Sequence, residues 1–199
     1  MGFGVPGLDQ ADRQMRALYN QAKRGIVWKP GESRSAAVNE MRVEEQVGAL
    51  LRQGGLRLAV AESCTGGLIS HILTNVAGSS TYFVGGVISY AYEAKVRLLG
   101  VKWETLEKHG AVSDKTVIEM ARGARNAMAA DIGLAVSGIA GPSGGTPAKP
   151  VGTMWIGLSS QNQDDAQHFL FQGDRLAIKE QSAQAALMML VEFLRQARE

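Results

Sequence analysis

The sequence predicts an α/β fold in three layers, with a mostly parallel sheet, one antiparallel corner and helices on both faces. Short apolar runs alternate with helical patterns along most of the 199-residue chain, which is typical of βα units. The last two runs, 153–159 and 166–171, lie close together around Gln161 and Asn162 and favour an antiparallel pair. The content of 45% hydrophobic and 20% charged residues is that of an ordinary globular domain.

Two regions are predicted: an N-terminal helical extension and linker over 1–39, and a main domain over 40–199. Apolar residues recur at spacings of three and four from Leu8 to Ala22, which predicts a helix with a narrow apolar stripe. Residues 25–35 contain a Pro-Gly pair and are typical of a linker. A stripe this narrow suits either packing on the same domain or a dimer contact, and we expect a homodimer.

The predicted elements follow from apolar periodicity and from the residues that end each run. Short runs rich in β-branched and aromatic residues predict strands, and spacings of three and four predict helices. Glycines after the helical patterns and hydroxyl or carboxylate residues before them mark the helix ends. The predicted strands are 57–61, 82–90, 132–137, 153–159 and 166–171, and the predicted helices are 36–53, 68–76, 93–99, 103–109, 113–128 and 174–198.

Composition excludes several classes of protein. No apolar run approaches the roughly 20 residues of a membrane span. The N-terminus lacks the basic and apolar regions of a secretory signal, and the single cysteine points to a reducing compartment, so we expect a cytoplasmic protein. The net charge is +2 and the basic residues are spread along the chain, which gives no indication of a nucleic-acid partner.

The stretch at 58–68, LAVAESCTGGL, predicts a strand that runs through a Gly-rich turn into a helix. Such a turn presents backbone N–H groups at the carboxyl edge of a sheet, where α/β proteins bind ligands. Ser63 is a candidate nucleophile if a base lies within hydrogen-bond reach. A hydroxyl cluster before two glycines is also typical of a helix cap or an anion cradle.

The neighbours of Ser63 leave two further alternatives open. Cys64 is either a nucleophile or, as is more usual for a lone cysteine beside a strand, a small buried hydrophobe. Glu62 is either a general base or an anchor of the turn that accepts backbone hydrogen bonds.

A lysine follows the second predicted strand. That strand ends at Tyr90, a helix begins near Tyr92, and Lys95 lies about one turn into the helix, so its side chain can fold back toward the strand end. A lysine shielded beside a serine has a lowered pKa and can act as a base. The alternative is a solvated helix lysine.

A second Gly-rich loop, SGIAGPSGG at 137–145, follows the buried strand 132–137. Its backbone can wrap an anion or an oxyanion, although it lacks the lysine and hydroxyl pair of a P-loop. Lys149, Arg175 and Lys179 are candidate phosphate partners or surface charges. The three histidines are scattered and show no metal-ligand pattern.

Four stretches together resemble one family. They are AESCTGG at 61–67, YFVGGVISYAYEAK at 82–95, HGAVS at 109–113 and SGIAGPSGG followed by KPVGT over 137–153. The chain resembles the C-terminal domain of the competence/damage-inducible protein family, the nicotinamide mononucleotide amidohydrolases, over roughly residues 40 to 197. Four motifs in family order and spacing are far more specific than any one of them.

The resemblance implies hydrolysis of the carboxamide of nicotinamide mononucleotide to nicotinate mononucleotide and ammonia, in cytoplasmic pyridine-nucleotide salvage, with no metal and no cofactor. It implies that Ser63 is the nucleophile, with Lys95 as its base and Tyr90 beside them. The positions expected to contact the nucleotide are Glu62, Thr65, Gly66, Gly67, Ser137, Gly138, Gly141, Gly144, Gly145 and Arg175.

The chain departs from the family pattern in two places. Family members often carry Ser-Asn where this chain has Ala91-Tyr92, which together with the helical extension keeps open a non-catalytic nucleotide-binding module. The family name also suggests a partner-binding role in the competence or DNA-damage response. Many relatives also carry a larger N-terminal domain that resembles molybdopterin-binding proteins and is linked to ADP-ribose pyrophosphatase activity. With only 1–39 preceding the matched domain, we expect no such activity here.

Overall fold

The computed structural model describes residues 41–196, which form six α-helices and five strands. In chain order these are α1 (Val43–Gly54), β1 (Leu58–Glu62), α2 (Leu68–Thr74), β2 (Phe83–Ile88), α3 (Tyr92–Leu99), α4 (Trp103–His109), α5 (Asp114–Ala127), β3 (Ile132–Gly138), β4 (Thr153–Ser159), β5 (Asp164–Leu170) and α6 (Arg175–Gln196). The predicted extension over 1–39 lies outside the described residues. Across 41–196, no helix combines the length and the apolar character needed to cross a bilayer.

The five strands form one sheet in the order β2-β1-β3-β4-β5. β1 pairs in parallel with β2 and β3, and β4 runs antiparallel to both β3 and β5. Four of the five strands therefore point the same way, and the predicted α/β fold with an antiparallel corner is confirmed.

The start of β5 differs from the prediction. The sequence pattern places it at Ala166, but the ladder extends to Asp164, which pairs with Ser159. The turn between β4 and β5 is closed by the Ser160 N–H, which donates to the Gln163 carbonyl at 2.8 Å. Because this turn sets the register between β4 and β5, Asp164 and Asp165 pair in the sheet despite their low strand propensity.

Helices cover both faces of the sheet. On one face, α1, α2 and α6 pack against alternate strand residues such as Leu58 and Val60. On the other face, α3, α4 and α5 pack against the intervening residues, among them Ala59, Ala61 and Ala135. The small side chains on this second face let α5 approach the sheet backbone closely.

Three strands end at one edge of the sheet, and this edge positions the site. The last paired residue of β1, Glu62, lies between Ile88 of β2 and Val136 of β3. The residues that follow, Ser63, Ser89 and Ser137, are all buried and stand side by side. Because side chains alternate along a strand, the three serines share the face covered by α3, α4 and α5.

Candidate active site

The centre of the site is a pair formed by Ser63 and Lys95. The Lys95 Nζ lies 3.0 Å from the Ser63 Oγ. Side chains on a helix lean toward its N-terminus, so Lys95, in the first turn of α3, reaches back to the end of β2. There its Nζ donates to the carbonyl of Ser89 at 2.6 Å and lies 3.4 Å from the carbonyl of Tyr90.

Lys95 is fully buried, and Ser63 is 8% exposed. Among the described residues Lys95 forms no ion pair, so no counter-charge offsets the cost of removing its ammonium from water. Burial lowers the pKa of Lys95 to about 8. A neutral amine is therefore accessible near physiological pH, next to the hydroxyl of Ser63, which is the geometry of a general base and its nucleophile.

Glu62 anchors the turn. Its fully buried carboxylate accepts hydrogen bonds from the N–H groups of Gly67 at 2.9 Å, Ile69 at 3.2 Å and Ser70 at 2.9 Å, and from the Ser70 Oγ at 2.8 Å. The three amides belong to the N-cap residue and the first turn of α2, where no carbonyl within the helix can accept their hydrogens. Of the two roles left open by the sequence, the geometry favours the anchor over the base.

Cys64 belongs to the apolar core. Its side chain is 5% exposed, and its Sγ lies 3.2 Å from the Sδ of Met154. Burial raises the pKa of the Cys64 thiol to about 11, so the reactive thiolate is scarce at neutral pH. The structure thus favours the packing role of Cys64 over a nucleophilic one.

The remaining residues of the turn face a cavity. Gly66 and Gly67 adopt positive φ angles of 64° and 99°, which only glycine adopts without strain, and Thr65 is 1% exposed. A cavity of about 320 Å³ lies between this turn, the start of α2 and the first turns of α6. Its lining includes Thr65, Gly66, His71, Leu176, Lys179 and Glu180.

Arg175 joins two segments of the site. At the start of α6 its guanidinium donates to the Gly141 carbonyl at 2.7 Å and to the Tyr90 hydroxyl at 3.2 Å. Tyr90 is 63% exposed and its hydroxyl accepts a hydrogen bond from Arg175, whereas its backbone carbonyl approaches Lys95. This placement supports a positioning role for Tyr90 over the catalytic role suggested by the resemblance.

The glycines of the second loop divide into two groups. A Cβ on Gly138 would meet the Met154 side chain, and one on Gly141 or Gly145 would meet Val151, so these three glycines allow the loop to pack. A Cβ on Gly144 would make only an ordinary van der Waals contact with the Ile139 side chain at 3.8 Å, and Gly144 has a positive φ of 91°. Substrate contacts by the four glycines and by Ser137 stay predictions.

Lys149 has a structural role that the sequence did not indicate. Its Nζ donates to the carbonyls of His109 at 2.9 Å and Val112 at 2.8 Å, which ties the segment after the second loop to the turn before α5. The Tyr92 hydroxyl accepts a hydrogen bond from the Ala111 N–H of that turn at 3.2 Å. The sequence offered no signal for these contacts, because the partners of Lys149 lie 37 and 40 positions away.

Potential metal ligands are dispersed. No three His, Cys, Asp or Glu side chains converge anywhere in 41–196 in a way that would hold a metal ion. The groups that meet at the site are hydroxyls, an amine, a guanidinium and backbone amides.

The fold and the site define an α/β protein with a buried serine–lysine pair at the carboxyl edge of its sheet. The chain belongs to the CinA family, since the family's C-terminal domain matches residues 40–194. It is 50% identical over 153 residues to a putative competence-damage inducible protein of Moorella thermoacetica, covering 77% of this chain and 37% of that protein. It is 49% identical over 181 residues to a CinA-like protein of Thermotoga neapolitana, covering 91% and 44%. The chain thus spans less than half the length of these relatives.

Solved structures of the same superfamily share the fold. The CinA-superfamily protein of Klebsiella pneumoniae superposes with a TM-score of 0.75 at 38% identity, covering 77% of this chain and 96% of that one. A competence/damage-inducible protein of Agrobacterium tumefaciens gives a TM-score of 0.73 at 36% identity, covering 80% and 99%.

Proposed function

We propose that this chain hydrolyses the carboxamide of nicotinamide mononucleotide to nicotinate mononucleotide and ammonia. The observation that carries the proposal is the 3.0 Å contact between the Nζ of the fully buried Lys95 and the Ser63 Oγ. Resemblance to the family supplies the substrate, and the serine–lysine pair supplies a chemistry that cleaves an amide.

The reaction begins with neutral Lys95. Its Nζ takes the proton of the Ser63 hydroxyl as the Oγ attacks the carboxamide carbon, and backbone N–H groups of the Gly-rich loops stabilise the oxyanion. The protonated Lys95 then gives its proton to the departing nitrogen, which leaves as ammonia. Water attacks the resulting ester with Lys95 again as the base, releasing the carboxylate and restoring the Ser63 hydroxyl.

The carbonyls around Lys95 suit this cycle. Ser89 and Tyr90 present backbone oxygens at 2.6 and 3.4 Å from the Nζ, and both accept hydrogens from an amine or an ammonium. These contacts orient the lone pair of the neutral amine toward Ser63. They also hold the transient ammonium without a carboxylate that would keep it permanently charged.

The activity is tested by measuring ammonia released from nicotinamide mononucleotide by the full chain. We expect turnover that falls by at least about a thousandfold in Ser63→Ala and Lys95→Met, as for other nucleophile and base removals. Matched controls are Ser80→Ala and Lys108→Met, which change an exposed serine and an exposed lysine away from the site. Ammonia release by the unchanged protein that is no faster than release by Ser63→Ala would overturn the proposal. Saturable binding of nicotinamide mononucleotide without turnover would favour the non-catalytic module.

A further inference from the structure

The cavity between the 63–67 turn and α6 is lined by neither Ser63 nor Lys95. It is bounded on one side by Thr65 and Gly66 and on the other by Lys179. We refer to it as the Lys179 cavity. The cavity lies beside the turn that follows Ser63 and is lined by residues outside the serine–lysine pair.

Three hydrogen-bond donors of the Lys179 cavity have no acceptor. The Thr65 Oγ1 is buried without a hydrogen-bond partner. In the described part of the chain, the Gly66 N–H donates to no acceptor and Lys179 forms no ion pair. The Lys179 Nζ lies 3.7 Å from the position that a Cβ on Gly66 would take, so the cation stands directly over the turn.

We propose that the Lys179 cavity binds the phosphate group of the nucleotide substrate. Its three donors are a cation, a hydroxyl and a backbone amide, the set that recognises phosphate oxygens. An unpaired buried hydroxyl such as that of Thr65 destabilises the fold, and an accepting ligand oxygen relieves that cost. This inference rests on the proposed function for the identity of the nucleotide.

The spacing along the turn fits one ligand that reaches both places. Thr65 follows Ser63 by two residues, so their Cα atoms are at most about 7 Å apart. In nicotinamide mononucleotide the pyridine ring and the ribose separate the carboxamide from the phosphate, so the two groups can occupy neighbouring positions along one turn. The carboxamide then lies at Ser63 while the phosphate lies at Thr65, Gly66 and Lys179.

Two other titratable groups line the cavity, His71 and Glu180. The carboxylate of Glu180 repels an anion and partly offsets the attraction of Lys179. Neutralising Glu180 should therefore strengthen phosphate binding, whereas neutralising Lys179 should weaken it. These opposite signs distinguish an anion site from a general effect on folding.

The binding test uses inorganic phosphate and the full chain labelled for amide NMR. We expect a saturable shift of the Gly66 amide, a dissociation constant raised about tenfold in Lys179→Met and lowered about threefold in Glu180→Gln. Lys179→Arg should restore binding, and Lys108→Met should match the unchanged protein. An unmoved Gly66 amide, or equal dissociation constants for Lys179→Met and Lys108→Met, would overturn the proposal.

A kinetic test compares nicotinamide mononucleotide with nicotinamide riboside, which lacks the phosphate. We expect Lys179→Met to raise the KM for the mononucleotide about tenfold with kcat within about twofold, and to leave the riboside unaffected. An unchanged KM for the mononucleotide would overturn the phosphate assignment while hydrolysis still stands. Phosphate binding at Gly66 without any hydrolysis would instead support the anion site and overturn only the proposed reaction.

Discussion

The Nζ of Lys95 and the Oγ of Ser63 lie 3.0 Å apart although the two residues are 32 positions apart in the chain. Parallel pairing of β1 with β2 brings them together, because Glu62 and Ile88 are opposite one another at the end of the ladder. Ser63 leaves β1 at that point, and α3 begins a few residues after β2 ends. The pair is therefore built by strand register and by the direction of a helical side chain.

Turnover should depend on the protonation of Lys95. Burial lowers the pKa of this lysine to about 8, and only the neutral amine can accept the Ser63 proton. We expect kcat/KM for nicotinamide mononucleotide, which reports groups of the free enzyme, to rise with pH below about 8 and to level off above it. A profile that is flat or falls through this range would argue against Lys95 as the base. The Lys108→Met control should keep the profile of the unchanged protein.

The same lysine should make stability depend on pH. Folding lowers the pKa of Lys95 from 10.5 to about 8, so the unfolded chain binds the extra proton between these values. Stability therefore rises with pH across this window, by about 3 kcal/mol at most. We expect the free energy of unfolding of the unchanged protein to rise relative to Lys95→Met between pH 8 and 10.5, and to run parallel below pH 8. Urea denaturation at several pH values measures this difference, and parallel curves throughout would contradict it.

Cys64 should be dispensable for turnover. Its thiol is buried against Met154 with a pKa raised to about 11, so we expect Cys64→Ala to keep kcat within about twofold and to lose about 1 kcal/mol of stability. We also expect slow alkylation of the native thiol at pH 8, compared with rapid alkylation after unfolding. A folded Cys64→Ala variant with kcat reduced a hundredfold or more would make the cysteine the nucleophile instead.

We expect Glu62 to contribute mainly to the stability of the fold. Glu62→Gln replaces a carboxylate that accepts three backbone N–H bonds and one hydroxyl bond with an amide that has one acceptor oxygen. We expect a loss of about 2–4 kcal/mol in the free energy of unfolding. The matched control Glu93→Gln, on the exposed side of α3, should lose little. A Glu62→Gln variant of unchanged stability and greatly reduced kcat would reinstate Glu62 as a base.

The role of Tyr90 can be tested by removing only its hydroxyl. Because that hydroxyl accepts a hydrogen bond from Arg175 at an exposed position, we expect Tyr90→Phe to reduce kcat less than about threefold. A modest rise in KM would reflect loosening of the Arg175 link to the second loop. A fall in kcat of a hundredfold or more at unchanged stability would show that the hydroxyl takes part in the reaction.

Local patterns predicted much of the fold. The elements from β1 to α6 appear where apolar periodicity and end residues place them, and Ser113 and Asp174 accept backbone N–H bonds as helix caps. The start of β5 was missed because Asp164 and Asp165 enter the sheet through turn geometry, which propensity does not describe. Lys149 was interpreted as a phosphate partner or surface charge because its carbonyl partners on the turn before α5 are distant in sequence.

The sequence alone determined the succession of strands and helices, the two Gly-rich loops at strand ends, and the candidacy of Ser63 and Lys95, since each depends on neighbours within a few positions. Tertiary structure decided between roles that the same residues could hold. Glu62 became an anchor because the first amides of α2 converge on its carboxylate, and Cys64 became core because it packs on Met154. Lys95 acquired its lowered pKa because the fold buries it without a counter-charge. Burial and partner geometry depend on residues distant in the chain, and local sequence patterns do not contain them.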